Sequence, residues 1–337
     1  MKKVIFLLVF LLNLNSFAEP NIVNGYDIAR EKALHLVKVF HKTGGACTGF
    51  IISESIVVTA AHCVLEKTKS DISISVMKKE SSFPWKYKEK IVDITKIYSS
   101  QKYSLEKKLH DQKLGRYYFQ DGGKDFKSIK ELDESLRRWN IVKGGAELAN
   151  YDFALLQTKK AFKEIVALNK HAKIPNNQRE TSPANKHEVI ARKGDKINIM
   201  GFGSTYTQMS DHKKKYKSQL RYGENYIDDV NRKSLGETEN IAGYLSIKGR
   251  LNQGSHYTNW FYDKSNFSWG DSGGPVSLAS NNRYVVGIIS MHDMRHLIYQ
   301  DEFDPTHNTS ITYSCDLGSL YVQNVIHGTL ERIGEQN

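Results

Sequence analysis

Cysteine and proline are scarce in this 337-residue chain: three of the former, six of the latter. Three cysteines cannot build the dense disulfide framework of a small scaffold or the paired thiols of a zinc ribbon. No internal repeat or low-complexity tract is present, which excludes a solenoid. Hydrophobic residues at 39% and charged residues at 25% fit neither a membrane bundle nor a disordered tail. Acidic residues are outnumbered, 37 against 48 Lys and Arg, for a net charge of +11 and a pI of about 9.2. That excess permits contact with polyanions, but no nucleic-acid recognition motif accompanies it. With 24 Gly and 18 Tyr, the composition suits a β-rich globular protein long enough to bury a sizeable core.

The N-terminus reads as an export signal. Lys2 and Lys3 precede an apolar run from Val4 to Leu12, then Asn13, Asn15 and the small-x-small triplet Ser16-Phe17-Ala18. Nine apolar residues are too few for a hydrocarbon core that takes about 20. A signal peptide over 1–18, cut after Ala18, is therefore expected, giving a secreted or periplasmic protein with no membrane span. Export permits disulfides.

Short β-branched and aromatic runs bounded by turn residues predict strands at Leu36–Phe40, Phe50–Thr59, Ile72–Met77, Phe153–Gln157, Lys196–Met200 and Tyr284–Ser290. The absence of alternating helices favours an all-β sandwich or barrel. Apolar positions in Leu320–Arg332 predict a C-terminal helix. Two polar stretches interrupt the pattern. Ser99–Gly145 is rich in Lys, Asp and Glu, with an amphipathic candidate at Lys127–Trp139. Thr205–Asn240 holds the basic run His212–Lys217, read as a solvated loop.

Three segments carry chemistry, in order: Thr59-Ala60-Ala61-His62-Cys63, Asn150-Tyr151-Asp152-Phe153-Ala154-Leu155-Leu156, and Gly270-Asp271-Ser272-Gly273-Gly274-Pro275. Serine hydrolysis needs a hydroxyl nucleophile, an imidazole to take its proton and a carboxylate to fix the imidazole's tautomer. It also needs backbone N–H groups aimed where the oxyanion develops. Glycines around Ser272 allow the backbone to approach a substrate closely. Each segment alone is unremarkable; together and in this order they are not.

These segments resemble the trypsin-like, chymotrypsin-fold serine proteases, from Ile22 to the C-terminal helix. The resemblance implies an all-β fold of two six-stranded antiparallel barrels with a C-terminal helix and two long insertions, about 99–145 and 205–240. It implies His62 as general base, Asp152 as orienting carboxylate, Ser272 as nucleophile, and the N–H groups of Gly270 and Ser272 as oxyanion hole. It further implies a Cys47–Cys63 disulfide, and Gly201-Phe202-Gly203 resembles the family's Gly-Trp-Gly turn. Ile22-Val23-Asn24-Gly25 resembles the family's activation sequence, in which the freed isoleucine amine pairs with the aspartate before the nucleophile, here Asp271. Residues 19–21 would then be a short propeptide of an inactive precursor, and 22–337 the protease domain. Asn21 before the cut is not a tryptic site, so a separate activating protease is a further partner.

The chain also departs from the family. His62 to Asp152 spans 90 residues and Asp152 to Ser272 spans 120, against roughly 45 and roughly 93 in the family's usual spacing. The excess falls in the two polar stretches, which predicts surface loops, the first entering near the cleft beside His62. In the substrate pocket, Asn266 replaces a trypsin-type aspartate. An amide does not compensate a buried cation, which disfavours tryptic specificity. Ser290-Met291-His292 replaces Ser-Trp-Gly, which leaves three readings for His292: it blocks the pocket, it pairs with an acidic side chain, or loop repacking displaces it from the pocket. Ser268 stands where the family has a pocket cysteine, leaving Cys315 as a free thiol or an intermolecular partner. His292 and His296 are spaced for metal ligation on a helix but lack a third ligand; no metal and no cofactor are expected.

The leading expectation is a monomeric exported serine endopeptidase acting on protein or peptide. Its rival is a catalytically silent homologue used as a binding or adhesion module, and a polyanion-binding surface protein is a third reading resting on charge alone.

Overall fold

The computed structural model describes residues 25–42, 44–80, 83–120, 134–135, 137–138, 146–175, 191–203, 220–234, 241–250, 270–292 and 309–335. Runs of Val and Ile make the first sheet: β2 (Leu36–His41), β3 (Ala46–Ile51), β4 (Ile56–Thr59), β5 (Ile72–Glu80), β6 (Phe83–Asp93), β7 (Lys96–Ser99) and β8 (Ala154–Gln157). The second sheet takes β1 (Tyr26–Asp27), β9 (Lys196–Gly201), β10 (Arg221–Tyr226), β11 (Asp229–Ser234), β12 (Ile241–Arg250), β13 (Pro275–Leu278), β14 (Val285–His292) and β15 (Thr309–Asp316).

Both sheets are antiparallel. Their orders are β6-β5-β2-β3-β4-β8-β7 and β1-β10-β9-β13-β14-β15-β12-β11. The all-β chymotrypsin-like class thus holds, with curled sheets of seven and eight strands in place of six each. The run expected as one strand over Phe50–Thr59 is two, β3 and β4, folded back on each other through Phe50↔Val58 and Ile51↔Val57. β4 is buried along its whole length. That explains its unbroken apolar sequence, since a strand covered on both faces has no polar side to alternate.

The core joins both sheets. Leu36, Val37, Phe50, Val58, Leu155 and Ile74 pack in one cluster with Met200, Phe202, Leu220 and Ile288 of the second half. A second cluster of Ile197, Ile199, Leu245, Ile247, Val276 and Ile289 fills the second sheet. Each fully buried side chain of this size contributes roughly 1.5–3 kcal/mol.

The first insertion is not a loop at its start. Gln101–Gln120 is a 20-residue helix, α1. Ser100 caps it, its Oγ accepting the Tyr103 N–H at 3.2 Å. The i,i+4 pairs Lys102–Glu106 and Lys107–Asp111 run along it. Most of Lys127–Trp139 lies outside the described residues, although Glu134, Ser135, Arg137 and Arg138 are helical. The second stretch is not a loop throughout either: β10 and β11 occupy 221–226 and 229–234, and the rest of 205–240, apart from 220 and 227–228, lies outside the described residues. After the short helix α2 (Lys163–Ala167), the chain ends in α3 (Leu320–Arg332), with the bounds its periodicity predicts. Val322, Ile326 and Leu330 carry α3 into the main core. Beyond it, the Glu335 carboxylate accepts the hydroxyls of Ser53 and Ser55 at 2.5 and 2.6 Å, tying the C-terminus to the β3–β4 turn.

Candidate active site

His62 lies on a single 3₁₀ turn, Ala61–Cys63, immediately after β4. Asp152 follows a second such turn, Ala149–Tyr151, immediately before β8. Pairing of β4 with β8 sets Thr59 opposite Ala154. The long intervening segment is thereby bridged, and the two turns meet where the end of β4 adjoins the start of β8. The result is a two-point grip: the Asp152 Oδ2 lies 2.7 Å from His62 Nδ1, and its Oδ1 accepts the His62 backbone N–H at 2.9 Å.

Asp152 is 1% exposed. Burial by itself would push its carboxyl up. The neighbouring imidazole and the donors around it outweigh that and hold it below its ordinary value. For His62 burial favours the neutral ring, yet the Asp152 carboxylate wins and raises it, with Lys107 of α1 working the other way. An ionised carboxylate only accepts, so Nδ1 carries the proton facing Asp152 and Nε2 keeps its lone pair.

A third partner was not foreseen. Ser290, expected on the substrate side, is 5% exposed and donates its hydroxyl to Asp152 Oδ2 at 2.5 Å. Position alone could not have revealed this, because 138 residues separate the pair. Tyr103 of α1 is also close: it is buried with Ala61, Leu148 and Tyr151, and Asp152 adds to the burial that raises its phenol. The insertion therefore does reach the surroundings of His62, as a helix.

Ser272 sits in a turn opened by Gly270 at φ +97° and closed by Gly273 at φ +81°. Both are left-handed values that other residues adopt only with strain. Thr48 on β3 organises this turn. Its N–H donates to the Ser272 carbonyl at 2.8 Å, and its hydroxyl donates to the Gly270 carbonyl at 2.9 Å while accepting the Phe202 N–H at 3.0 Å. The turn is fixed from its far side by Gly273 N–H on the Ile289 carbonyl and Gly274 N–H on the Asp271 carbonyl, both 2.8 Å.

Next to Thr48, Cys47 is joined to Cys63 by a disulfide with S–S 2.04 Å. One short stretch of β3 thus holds both the serine turn and the histidine turn. The two sulfurs and the His62 ring nitrogen lie within 4.8 Å of one another. As a disulfide the sulfurs offer no thiolate, so this cluster does not have the donors of a metal site.

Asp271 is fully buried, its Oδ1 accepting the Gly203 N–H at 2.7 Å. Cys315 is a buried thiol 3.6 Å from the Asn150 carbonyl, and burial raises it well above its ordinary value. Enclosed in this way it is not available to bridge two molecules. His292 ends a strand, opposite Thr312, which removes the helical spacing on which a His292–His296 metal pair depended. Ile22, Asn266, Ser268, Lys213–Lys217 and His296 lie outside the described residues. Among the described residues, no helix is long and apolar enough to cross a membrane.

A carboxylate–imidazole pair at the adjoining ends of β4 and β8, tied by a disulfide to the strand that also holds a glycine-flanked serine turn, is suited to hydroxyl-based hydrolysis. The family model described as Trypsin matches residues 22–299, well over half of the chain. The chain belongs to the trypsin family of serine proteases.

Proposed function

We propose that the protein is an exported serine endopeptidase in which Ser272, His62 and Asp152 act as nucleophile, base and orienting carboxylate. The observation that carries this reading is the double hold of Asp152 on His62, at 2.7 and 2.9 Å. It leaves Nε2 as the free base. In the first half-reaction Ser272 Oγ attacks the peptide carbonyl carbon, and its proton passes to Nε2. The tetrahedral oxyanion takes hydrogen bonds from the N–H groups of Gly270 and Ser272. The C–N bond then breaks, the amine leaving with the proton from Nε2. Water, deprotonated by the same nitrogen, releases the acyl group and restores the serine.

The N-terminal 18 residues act as a secretion signal, and cleavage before Ile22 by another protease frees the amine that completes the Asp271 site. An ammonium meeting a fully buried carboxylate is stabilising only because neither remains uncompensated. With Asn266 in place of an aspartate, and His292 in place of a glycine, the preference is not for Lys or Arg.

The test is labelling of protein beginning at Ile22 with a fluorophosphonate. The expected result is one adduct per chain, absent in Ser272→Ala. A correctly folded Ile22 form that takes no label would overturn the assignment.

A further inference from the structure

The carboxylate of Asp271 is pressed against two glycines. A side-chain carbon on Gly203 would fall 2.6 Å from its Cγ, and one on Gly201 would fall closer still to its Oδ1. Asp271 therefore occupies the space that a Gly201 side chain would fill. Directly across the ladder from Gly201 stands Arg221 of β10. Opposite residues of an antiparallel pair project to the same face, so the guanidinium and the carboxylate share that face.

Arg221 is itself 2% exposed. Its Nη1 donates to Asp27 Oδ1 at 2.7 Å, and its Nη2 donates to the Gly25 carbonyl. Burial draws the guanidinium down to about 10, against the pull of Asp27 and then Asp271, which leaves it charged at neutral pH. Arg221 is thus paired with Asp27, on the segment just after Ile22, while its charge also acts on Asp271, just before Ser272. The amine freed at Ile22 would add a further cation beside the same carboxylates, which bears on how much the uncut chain can do.

We propose that Arg221 is a positioning residue that supplies a standing interior counter-charge to Asp271, so that the serine turn is partly assembled before any amine is freed at Ile22. This rests on the reading of Ser272 as nucleophile. Processing then adds the second cation and completes an arrangement already begun, instead of creating it. The uncut chain is accordingly a weak enzyme and not a silent one.

The experiment compares fluorophosphonate labelling rates of two folded forms, one beginning at Glu19 and one at Ile22. The Glu19 form is expected to label measurably, at about a tenth to a hundredth of the Ile22 rate. Arg221→Met should slow the Glu19 form at least tenfold more than it slows the Ile22 form, with Arg221→Lys restoring part of the difference. A purely structural role for Arg221 would slow both forms alike. Asp27→Asn, at a partly exposed site, frees the guanidinium from its competitor and should speed the Glu19 form, an outcome independent of whether Arg221→Met folds. A Glu19 form that never labels beside an active Ile22 form, or equal slowing of both forms by Arg221→Met, overturns the proposal. An inert Ile22 form would instead overturn the hydrolase reading, and this proposal with it.

Discussion

Acid should unfold this protein through two histidines that have no part in catalysis. His35, just before β2, is 3% exposed, and His171, beside the end of β3, is 6% exposed. The Ile51 peptide links them, donating to the His35 carbonyl at 2.7 Å and accepting the Ala172 N–H at 2.8 Å. Burial lowers both imidazoles to about 4; Arg283 and His171 add to it at His35, and Lys173 and Arg283 at His171. A histidine whose folded value is depressed is held neutral by the fold. The unfolded chain then binds more protons, so stability rises with pH. The contribution is complete above about 6.5 and drains away as pH falls toward 4. For a drop from 6.5 to about 4, each site can cost on the order of 3 kcal/mol, and roughly 2 kcal/mol has gone by pH 5. The assay is equilibrium urea unfolding at pH 7.5 and pH 5.0 for the native sequence and for His35→Gln. The native sequence should lose about 2 kcal/mol more than the variant between the two pH values. Equal losses would refute the reasoning, because the depressed imidazole would then carry none of the acid lability. Arg283→Met should recover part of the loss at pH 5, since it removes a cation that opposes protonation of both rings.

Other expectations follow from single contacts. Ser290→Ala removes a donor from a buried carboxylate and should lower the unfolding free energy by about 1.5–3 kcal/mol, the usual range for hydrogen bonds to charged groups, read as a lower urea midpoint at constant slope. Cys47→Ser opens a disulfide that closes a 16-residue separation, for an expected loss of about 3 kcal/mol, checked by matching its melting temperature to that of the reduced native protein. The Cys315 thiol should be silent toward a disulfide reagent in the folded protein and react as one equivalent in denaturant. Because Asp152 raises His62, kcat/KM should fall as pH drops through a value above 6.5; an acid limb below 6.5 would show that Lys107 and burial prevail.

Much of this protein was legible without coordinates, for a definite reason. Local patterns are written in contiguous residues: α3 appears at Leu320–Arg332 because its apolar positions repeat with the helical period, and β2, β5 and β9 begin where β-branched runs begin. The order of the histidine, aspartate and serine segments was equally plain, since each has its own short signature. β6 is less plain in the sequence, because Pro84 near its start and Glu89 in its middle break the alternation of Lys86, Lys88 and Lys90 with Trp85, Tyr87 and Ile91. The helical start of the first insertion, α1, was hidden by its charge, its order resting on the Ser100 cap and on Tyr103 packed beneath it.

The sequence by itself determined the chemical types available at the site and the order in which they occur. Only the tertiary structure decided which of them meet. Thr48 reaches Gly270 across 222 residues, Ser290 reaches Asp152 across 138, and Arg221 faces Gly201, with Asp271 in its shadow, through strand register. Register depends on the packing of both sheets at once, and a shift of one residue would turn each of these side chains to the opposite face. No local pattern carries that information, because the free energy that selects the register is shared by the entire core.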